Sequence, residues 1–406
     1  MELLFIGVAC TDDAIEESNR KYYNNVSQVR PQQHFDLQLT SGLSKQCNVK
    51  AVSLPPVAAF PRSKCLFYYR KKDVLSNTLR IHYISLINLP FIKTFITVLY
   101  VFISTLFFCI KNIKKERSIL MGSILFYTAI PAMLIAKIFR VKVFVSVPDL
   151  PQYTISYTKM QNRVRYIFTK ISLIFDKFVE RGFDGYILLT EQMNELVNFK
   201  KKPYIIMEGM LQVDETYNNI EKEDSTKVVM YAGTLHEKFG VKKLVDAFKL
   251  CNSSDCELWI FGVGDYLEKL QKDILEYNNI KYKGSASRSQ IIKFEHRATL
   301  LVNPRPSNED FTKYSFPSKT IEYMASGTPL LTTKLPGIPK EYFDYVFLFN
   351  SEEVEGMAKD IDYILSLSDI TLNDFGVKAQ KFIVNNKNNN IQAKKIYDFL
   401  HKYNNK

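Results

Sequence analysis

Short apolar runs alternate with longer amphipathic stretches along most of this chain, and that alternation restricts the fold more than any other feature of the sequence. The short runs are typical of buried strands and the longer stretches of helices. Strands that alternate with helices form a parallel sheet covered by helices on both faces. The alternation is interrupted by the polar residues 213–227 and restarts at Val228. We therefore predict an α/β protein with two doubly wound, Rossmann-like domains and a ligand cleft between them.

The length of 406 residues suits two domains of this kind. We predict a first domain over residues 1–210, a linker over 211–227 and a second domain over 228–390. We expect residues 391–406 to form a helix that packs back toward the first domain. Hydrophobic residues make up 46% of the chain and charged residues 24%, and these proportions exclude a disordered or collagen-like protein.

The positive charge is confined to the first half of the chain. Residues 1–207 hold 28 Lys and Arg against 14 Asp and Glu, a balance of +14. The totals of 54 and 42 leave 26 against 28 for residues 208–406, a balance of −2. This asymmetry predicts that the first domain alone faces an anionic partner, such as a phosphorylated ligand, nucleic acid or a membrane surface.

Residues 94–110 are 17 uncharged residues, and four basic residues follow them within 111–117. This length lies at the lower limit for a helix that spans a membrane. A span would put two parts of one domain on opposite sides of a bilayer, so we favour two other interpretations. The stretch is either a fully buried helix or a helix whose exposed side enters the membrane interface. Aromatic and basic residues within 62–72 favour the second interpretation.

The six cysteines and five histidines show no spacing typical of a metal site or of a disulfide framework. We interpret the cysteines as reduced thiols of a cytoplasmic protein. The N-terminal apolar run carries Glu2 and no basic leader, so we expect a first strand there rather than a signal peptide. We expect no bound metal ion and no cofactor.

Glycine turns follow two predicted strands of the second domain. One strand ends at Gly233, and Lys238 stands before the next helix; a second strand ends at Gly262 and Gly264. Backbone N–H groups in such turns can approach a phosphate closely, and a lysine can neutralise it. Each turn alone is a weak indication, because glycine turns are also common packing devices.

The strongest indication of function lies in residues 316–329. Pro317 suits the first turn of a helix, and Gly327 suits its end. Ser318 and Lys319 then lie beside the free N–H groups of the helix N-terminus, where a diphosphate can bind. Glu322 follows about one turn later and can accept hydrogen bonds from the two hydroxyls of a ribose.

Four blocks of the second half resemble, in order and spacing, the donor-binding half of GT-B fold glycosyltransferases of family 4, which are retaining enzymes that use nucleotide sugars. These blocks are YAGTLHEKFGVKKLVDAF at 231–248, ELWIFGVGD at 257–265, YKGSASRSQI at 282–291 and FPSKTIEYMASGTPLLT at 316–332. The first half is similar more faintly, in VPDLPQ at 147–152 and YILLTEQM at 186–193.

The resemblance implies that Lys238 and the Gly233 turn hold the donor diphosphate and that Glu322 binds the ribose. The turn from Gly284 to Arg288 should lie near the nucleobase. The resemblance also implies transfer with retention of configuration by front-face attack, in which the donor phosphate helps to take the acceptor proton. No dedicated general base is then required, and cations in a closed cleft stabilise the departing diphosphate.

The sequence departs from the family pattern at three places. Thr234 stands where the family often has arginine, and we expect Arg305 to supply the second cation. Tyr314 stands where the first of two paired glutamates is usual, so either Tyr314 or Glu309 contacts the sugar. Pro148 replaces a histidine before Asp149, which leaves Asp149 as a candidate. The predicted catalytic residues are Lys238, Arg305, Glu322 and Asp149; the predicted donor-binding residues are Gly233, Thr234, Lys238, Gly262, Gly264, Arg288, Arg305, Tyr314, Pro317, Ser318, Lys319 and Glu322.

We expect the acceptor to be a glycan linked to a polyprenyl pyrophosphate, because the first half is basic and contains the apolar stretch. The predicted function is one sugar transfer in assembly of a bacterial surface polysaccharide (capsule, exopolysaccharide or O-antigen). The predicted location is the cytoplasm, peripheral at the inner face of the cytoplasmic membrane. A nucleotide-sugar epimerase of the same fold is the alternative enzyme. The alternative that is not an enzyme is a basic protein that binds an anionic surface. The sequence contains no nucleic-acid-binding motif, and we expect no nucleic-acid partner.

Overall fold

The computed structural model describes residues 1–23, 31–70, 72–150, 163–211, 226–252 and 255–404. These residues form two compact units. Unit 1 comprises Met1–Met210 and Asn389–Lys406, and unit 2 comprises Leu211–Asn388. Most of the predicted linker, residues 212–225, lies outside the described residues.

The first 210 residues contribute ten strands and six helices to unit 1 within the described ranges. The strands are β1 (Glu2–Gly7), β2 (Asn48–Ser53), β3 (Phe67–Tyr68), β4 (Asp73–Val74), β5 (Leu79–Tyr83), β6 (Leu86–Ile87), β7 (Arg117–Met121), β8 (Lys142–Val147), β9 (Gly185–Leu188) and β10 (Tyr204–Ile206). The helices are α1 (Asp12–Tyr22), α2 (Pro31–Leu43), α3 (Ile92–Lys111), α4 (Phe126–Ile138), α5 (Arg163–Glu180) and α6 (Met193–Val197). Eight strands form one sheet in the order β10-β9-β8-β7-β1-β2-β5-β4, parallel throughout except for the edge pair β4–β5.

Unit 2 contains a six-stranded sheet in which every pair of neighbouring strands is parallel. The strands are β11 (Lys227–Ala232), β12 (Cys256–Phe261), β13 (Ile280–Tyr282), β14 (Leu300–Asn303), β15 (Leu330–Thr332) and β16 (Phe347–Leu348). The helices are α7 (Val241–Lys249), α8 (Leu267–Asp273), α9 (Arg288–Arg297), α10 (Ser318–Ala325), α11 (Val354–Ser366) and α12 (Asp369–Asn386). The predicted α/β fold class is confirmed by these two sheets, which are parallel apart from the β4–β5 edge pair.

The last helix, α13 (Asn389–Asn404), belongs to unit 1 although it follows all of unit 2 in the chain. It packs against α2. The side chain of Gln392 donates a hydrogen bond to the Gly209 carbonyl over 2.8 Å, and the ring of Phe399 lies 5.7 Å from that of Phe144. Unit 2 therefore ends at Asn388, two residues before the predicted boundary.

Helix α3 is only partly buried, so the interpretation of residues 94–110 as a fully buried helix is wrong. It is long and apolar enough to cross a membrane by length and composition. Its buried residues are Thr97, Val101, Thr105, Phe108 and Cys109. Large apolar side chains lie exposed on its other face, including Phe95 at 69% and Phe107 at 63% exposure. The physical reason is that α3 packs one stripe against α4 and the sheet of unit 1, while the other side contacts solvent.

The order of strands in unit 2 creates a crevice at the carboxyl end of its sheet. The order is β13-β12-β11-β14-β15-β16. The chain passes from β11 to β12 and β13 on one side of β11, and it then returns to pair β14 with the other side of β11. Helices that follow β11 and β14 therefore diverge from a common point, and ligands bind at such switch points in open α/β sheets. Gly240 allows the turn after β11 to approach the turn after β14, because it has φ +81° and an added Cβ would overlap the Pro304 carbonyl.

Candidate active site

A cavity of about 220 Å³ lies at this switch point of unit 2. The turn after β11, the turn after β14 and the start of α10 form its wall. Its lining residues are Tyr231, Ala232, Gly233, Thr234, Phe239, Asn303, Arg305, Pro317, Ser318, Lys319 and Tyr323. Six of the predicted donor-binding residues are among them: Gly233, Thr234, Arg305, Pro317, Ser318 and Lys319.

Arg305 is the most informative residue of this wall. Its guanidinium carbon lies 4.9 Å from the ring centre of Phe239 and 5.5 Å from that of Phe311. Among the described residues it makes no hydrogen bond or ion pair with a side chain, and burial lowers the pKa of its guanidinium. The two rings hold the cation by cation–π attraction without using its N–H donors. A desolvated arginine with unused donors beside a cavity is suited to bind an anion.

Asn303 adds a second unused donor to the cavity. It is the last residue of β14 and is 7% exposed. Its side-chain amide nitrogen has no hydrogen-bond partner within the described part of the chain. Most buried donors in proteins are paired, so this amide is suited to an acceptor atom of a ligand. Ser318, at the start of α10, brings the free N–H groups of a helix N-terminus to the same cavity.

Tyr323 fixes the position of α10 against the end of β11. Its hydroxyl donates to the carbonyl of Ala232 over 3.0 Å and accepts from the N–H of Ala232 over 2.7 Å. The residue is 1% exposed. Because both bonds go to the last residue of β11, they hold the two walls of the cavity together before any ligand binds.

Lys319 lies between two carboxylates. Its Nζ is 2.5 Å from Oε2 of Glu322 and 3.6 Å from Oε1 of Glu295. Burial opposes the positive charge of Lys319, but the two carboxylates outweigh this effect and its pKa is raised. Glu295 is 0% exposed, and burial raises its pKa to about 7, although Lys319 acts to lower it.

Lys238 and Glu322, two of the predicted catalytic residues, lie beside the cavity rather than in its lining. Lys238 belongs to the short turn Glu237–Phe239, and its Nζ lies 5.2 Å from the ring centre of Phe239. Burial lowers the pKa of Lys238, Asp265 and Glu309 raise it, and the positive charge of Arg305 lowers it further. Glu322 forms an ion pair with Lys319, which lines the cavity.

Gly262 and Gly264 do not line the cavity, and the structure gives them a packing role instead. Gly262 has φ +132°, and an added Cβ would overlap the carbonyl of Gly233. A Cβ on Gly264 would overlap the carbonyl of Leu235. Both glycines let the turn after β12 pack directly on the turn after β11. They therefore support the shape of the Gly233 turn.

The remaining predicted site residues are not in the lining of this cavity. Arg288 is exposed at the start of α9, and Tyr314 follows the short turn Asp310–Lys313. Glu309 is exposed at the start of that turn. Asp149 follows β8 and is exposed in unit 1.

Sequence reasoning missed four residues that shape the site: Phe239, Asn303, Phe311 and Glu295. Asn303 stands two residues before Arg305 in the sequence, and as a polar residue at the end of a buried strand it could have been recognised. The two phenylalanines and Glu295 gave no such signal, because their contacts join segments far apart in the chain.

A larger hollow of about 420 Å³ lies along α1 in unit 1. Three carboxylates line it, from Asp13, Glu16 and Glu17, together with Asn19 and Arg20. Its negative charge does not suit a phosphorylated ligand. Within the described ranges no group of three or more His, Cys, Asp or Glu side chains is arranged to hold a metal ion.

Comparison with known proteins shows what the second half of the chain and its fold are similar to. The family model for glycosyl transferases group 1 matches residues 213–389. No curated protein matches the chain by sequence. Solved structures match almost the whole chain at low identity, which shows the fold.

Sucrose-phosphate synthase from Thermosynechococcus elongatus has a TM-score of 0.65 at 14% identity, with 99% of this chain and 98% of that chain covered. The Anabaena protein Alr3699/HepE, solved with UDP, has a TM-score of 0.63 at 12% identity, with coverage of 99% and 100%. The lipopolysaccharide outer core galactosyltransferase WaaB has a TM-score of 0.60 at 12% identity, with coverage of 99% for both chains. Residues 213–389 therefore form a glycosyl transferases group 1 domain, which makes the protein a glycosyltransferase, and the whole chain has the fold of these solved structures.

Proposed function

We propose that the protein is a retaining glycosyltransferase that takes its sugar from a nucleoside diphosphate sugar bound in unit 2. The observation that carries this proposal is the Arg305 guanidinium, which two aromatic rings hold at the cavity wall with its N–H donors unused. A diphosphate supplies the acceptor oxygens that this cation lacks. The neighbour Alr3699/HepE was solved with UDP and with UDP-glucose, which supports a ligand of this class.

The other residues of the cavity suit the same ligand. The side-chain amide of Asn303 and the N-terminus of α10 can donate to phosphate oxygens. Glu322, beside the cavity, is the candidate for the ribose hydroxyls. As the sugar leaves, negative charge grows on the diphosphate, and Arg305 and Lys319 stabilise it. Charge stabilisation of this kind needs neither a general base nor a metal ion.

A binding experiment tests the donor site. The thermal shift of the full chain is measured with UDP, GDP, ADP and CMP, and binding is then quantified by calorimetry. Arg305→Met should weaken the binding of the preferred nucleotide by about 100-fold, since charge-assisted bonds are worth about 1.5–3 kcal/mol each. The matched control is Arg181→Met, because Arg181 also lies over a phenylalanine, 5.4 Å from the ring centre of Phe199, but in unit 1. Equal affinities of the two variants would refute the donor site.

We propose further that unit 1 receives a lipid-linked acceptor at a membrane surface. Three of its helices, α3, α4 and α5, carry exposed large apolar side chains. They are Ile92, Phe95, Leu99, Phe102, Ile103, Phe107 and Ile110 on α3, Leu134 and Ile138 on α4, and Ile171, Ile174, Phe175 and Phe178 on α5. The helices are neighbours: α3 packs on α4, and the ring of Phe126 in α4 lies 5.4 Å from that of Phe175 in α5. We call these side chains the apolar surface of unit 1.

Exposed cations accompany the apolar surface. Lys111, Lys137, Lys170 and Lys177 stand on the same three helices, and Lys114 follows α3. A helix that lies in the membrane interface combines an apolar face with basic residues in this way. The balance of +14 in residues 1–207 favours a leaflet of anionic lipids, where each cation is worth about 1 kcal/mol. The acceptor we propose is a glycan on a polyprenyl pyrophosphate carrier, used in bacterial surface polysaccharide assembly at the inner face of the cytoplasmic membrane.

Flotation with liposomes tests the membrane proposal. The full chain should float with vesicles that contain anionic lipid at low salt, and Phe95→Glu should reduce the bound fraction strongly. The matched control is Leu275→Glu, because Leu275 is 78% exposed but lies in unit 2. If the chain does not float at low salt, or if the two variants float equally, the membrane proposal is refuted. Neither result affects the proposed donor site.

A further inference from the structure

Glu295 is a fully buried carboxyl group to which the proposed transfer gives no role. It lies on α9 and is 0% exposed. Within the described residues neither of its oxygens has a hydrogen-bond partner, and its ion pair is with Lys319, at 3.6 Å. A buried carboxyl group with so few partners is costly, and its presence behind the cavity wall requires an explanation.

The two carboxylates beside Lys319 are not equivalent. Glu322 is partly exposed next to the cavity, and its Oε2 holds the Lys319 ammonium at 2.5 Å. If Glu322 accepts hydrogen bonds from a ribose, its oxygens are shared between the ribose and the ammonium. The ammonium of Lys319 then has less of Glu322 to contact, and the carboxylate of Glu295 lies only 1.1 Å farther away (3.6 less 2.5).

The positions of the two backbones allow this exchange without movement of a helix. The hydroxyl of Thr328, which follows α10, donates to the carbonyl of Glu295 over 2.7 Å. Helix α9 is also capped at its N-terminus by Ser287 and Gln290. Because α9 is held on the segment after α10, a rotation within the flexible Lys319 side chain is sufficient to bring its ammonium to Glu295.

We propose that Glu295 is a positioning residue, which accepts the Lys319 ammonium when the ribose of a bound nucleoside diphosphate occupies Glu322. This inference rests on the donor site proposed above. It gives the Lys319 ammonium a carboxylate partner within unit 2 while Glu322 binds the ribose. The charged groups that act on Glu295 are Lys319 and Glu322 on α10 and Arg288 on its own helix.

The exchange has a measurable consequence, because it changes the protonation of Glu295. Burial raises its pKa to about 7, so part of the carboxyl population keeps its proton at pH 7 in the free protein. Approach of the ammonium favours the ionised form, and the proton passes to the buffer. Nucleotide binding should therefore release a fraction of a proton per protein molecule at pH 7.

Calorimetry of nucleotide binding at pH 7, in two buffers with different ionisation enthalpies, measures this release. UDP, GDP and ADP are titrated into the full chain, and the tightest of the three is used for the variants. Glu295→Gln should abolish the proton release and weaken binding by about tenfold. Asp176→Asn is the control, because Asp176 is also a buried carboxyl with a raised pKa, about 6, but lies in unit 1. It should leave both quantities unchanged.

Unchanged proton release and affinity in Glu295→Gln would overturn the inference while the donor site stands. If Glu295→Gln does not fold, Lys319→Gln takes its place, since it keeps Glu295 but removes the ammonium. Its proton release should also be lost, and a retained release overturns the inference. If none of the three nucleotides binds to the natural chain, the donor site itself is refuted and this inference with it.

Discussion

Replacement of Tyr323 by phenylalanine removes one oxygen atom and leaves the ring in place. That oxygen donates to the Ala232 carbonyl over 3.0 Å and accepts from its N–H over 2.7 Å, in a position that is 1% exposed. Each buried partner left without a hydrogen bond costs about 1–3 kcal/mol. With two such bonds lost, Tyr323→Phe should reduce the free energy of unfolding of unit 2 by about 3 kcal/mol.

Urea unfolding followed by tryptophan fluorescence measures this loss in unit 2 selectively. Trp259 is the only tryptophan of the 406-residue sequence, and it lies in β12 of unit 2 with 7% exposure. The matched control is Tyr266→Phe, because Tyr266 is equally buried but loses one bond, of 2.8 Å, to the carboxylate of Asp273. Similar losses in the two variants would refute the view that the paired bonds of Tyr323 hold α10 on β11.

Gly240→Ala should cost more than about 2 kcal/mol, because its Cβ would overlap the Pro304 carbonyl in addition to the strain of a positive φ. Gly284→Ala, at φ +80° with nothing within 4 Å of the added Cβ, should cost only about 1 kcal/mol, and equal losses in urea unfolding would contradict the close approach. Glu295 should make unit 2 less stable as the pH rises from about 4.5 to about 7, since the folded state binds its proton more tightly than the unfolded state. The rise of the Glu295 pKa from 4.5 to about 7 corresponds to a loss of about 3 kcal/mol in the free energy of unfolding. Glu295→Gln should therefore gain stability relative to the natural chain as the pH rises from about 4.5 to about 7, and a constant difference between the two proteins over this range would contradict this assignment.

The apolar pattern predicts those elements of the fold that are buried on both faces. In strand β8 (Lys142–Val147) five consecutive residues are buried and most are β-branched or aromatic, which is the pattern of a strand covered on both faces. Helix α1 (Asp12–Tyr22) gives a much weaker pattern, since only Ala14, Ile15 and Ser18 are buried. Strand β5 (Leu79–Tyr83) alternates buried and less buried residues, and Arg80 and His82 interrupt its apolar character. The apolar pattern therefore does not predict elements that have one exposed face and few apolar residues.

The candidate site was predictable where its residues stand next to each other in the sequence. Pro317, Ser318 and Lys319 open one helix, and the start of α10 at Ser318 agrees with the prediction. The contact of Arg305 with Phe239 joins residues 66 positions apart (305 less 239), and it exists because Gly240 packs on Pro304. No periodicity or motif contains such information. The role of Gly262 could not be predicted for another reason, because a glycine that permits packing and one that admits a phosphate look the same in a sequence.

The return of α13 to unit 1 affects the order in which the protein can fold during synthesis. The two ends of unit 2 lie side by side, since the N–H of Leu211 donates to the Lys387 carbonyl over 2.8 Å. Unit 2 is thus a continuous segment inserted into a discontinuous unit 1. Because the chain is synthesised from the N-terminus to the C-terminus, all of unit 2 is made before the last helix of unit 1. The unit that carries the apolar surface of α3, α4 and α5 is therefore the last to become complete.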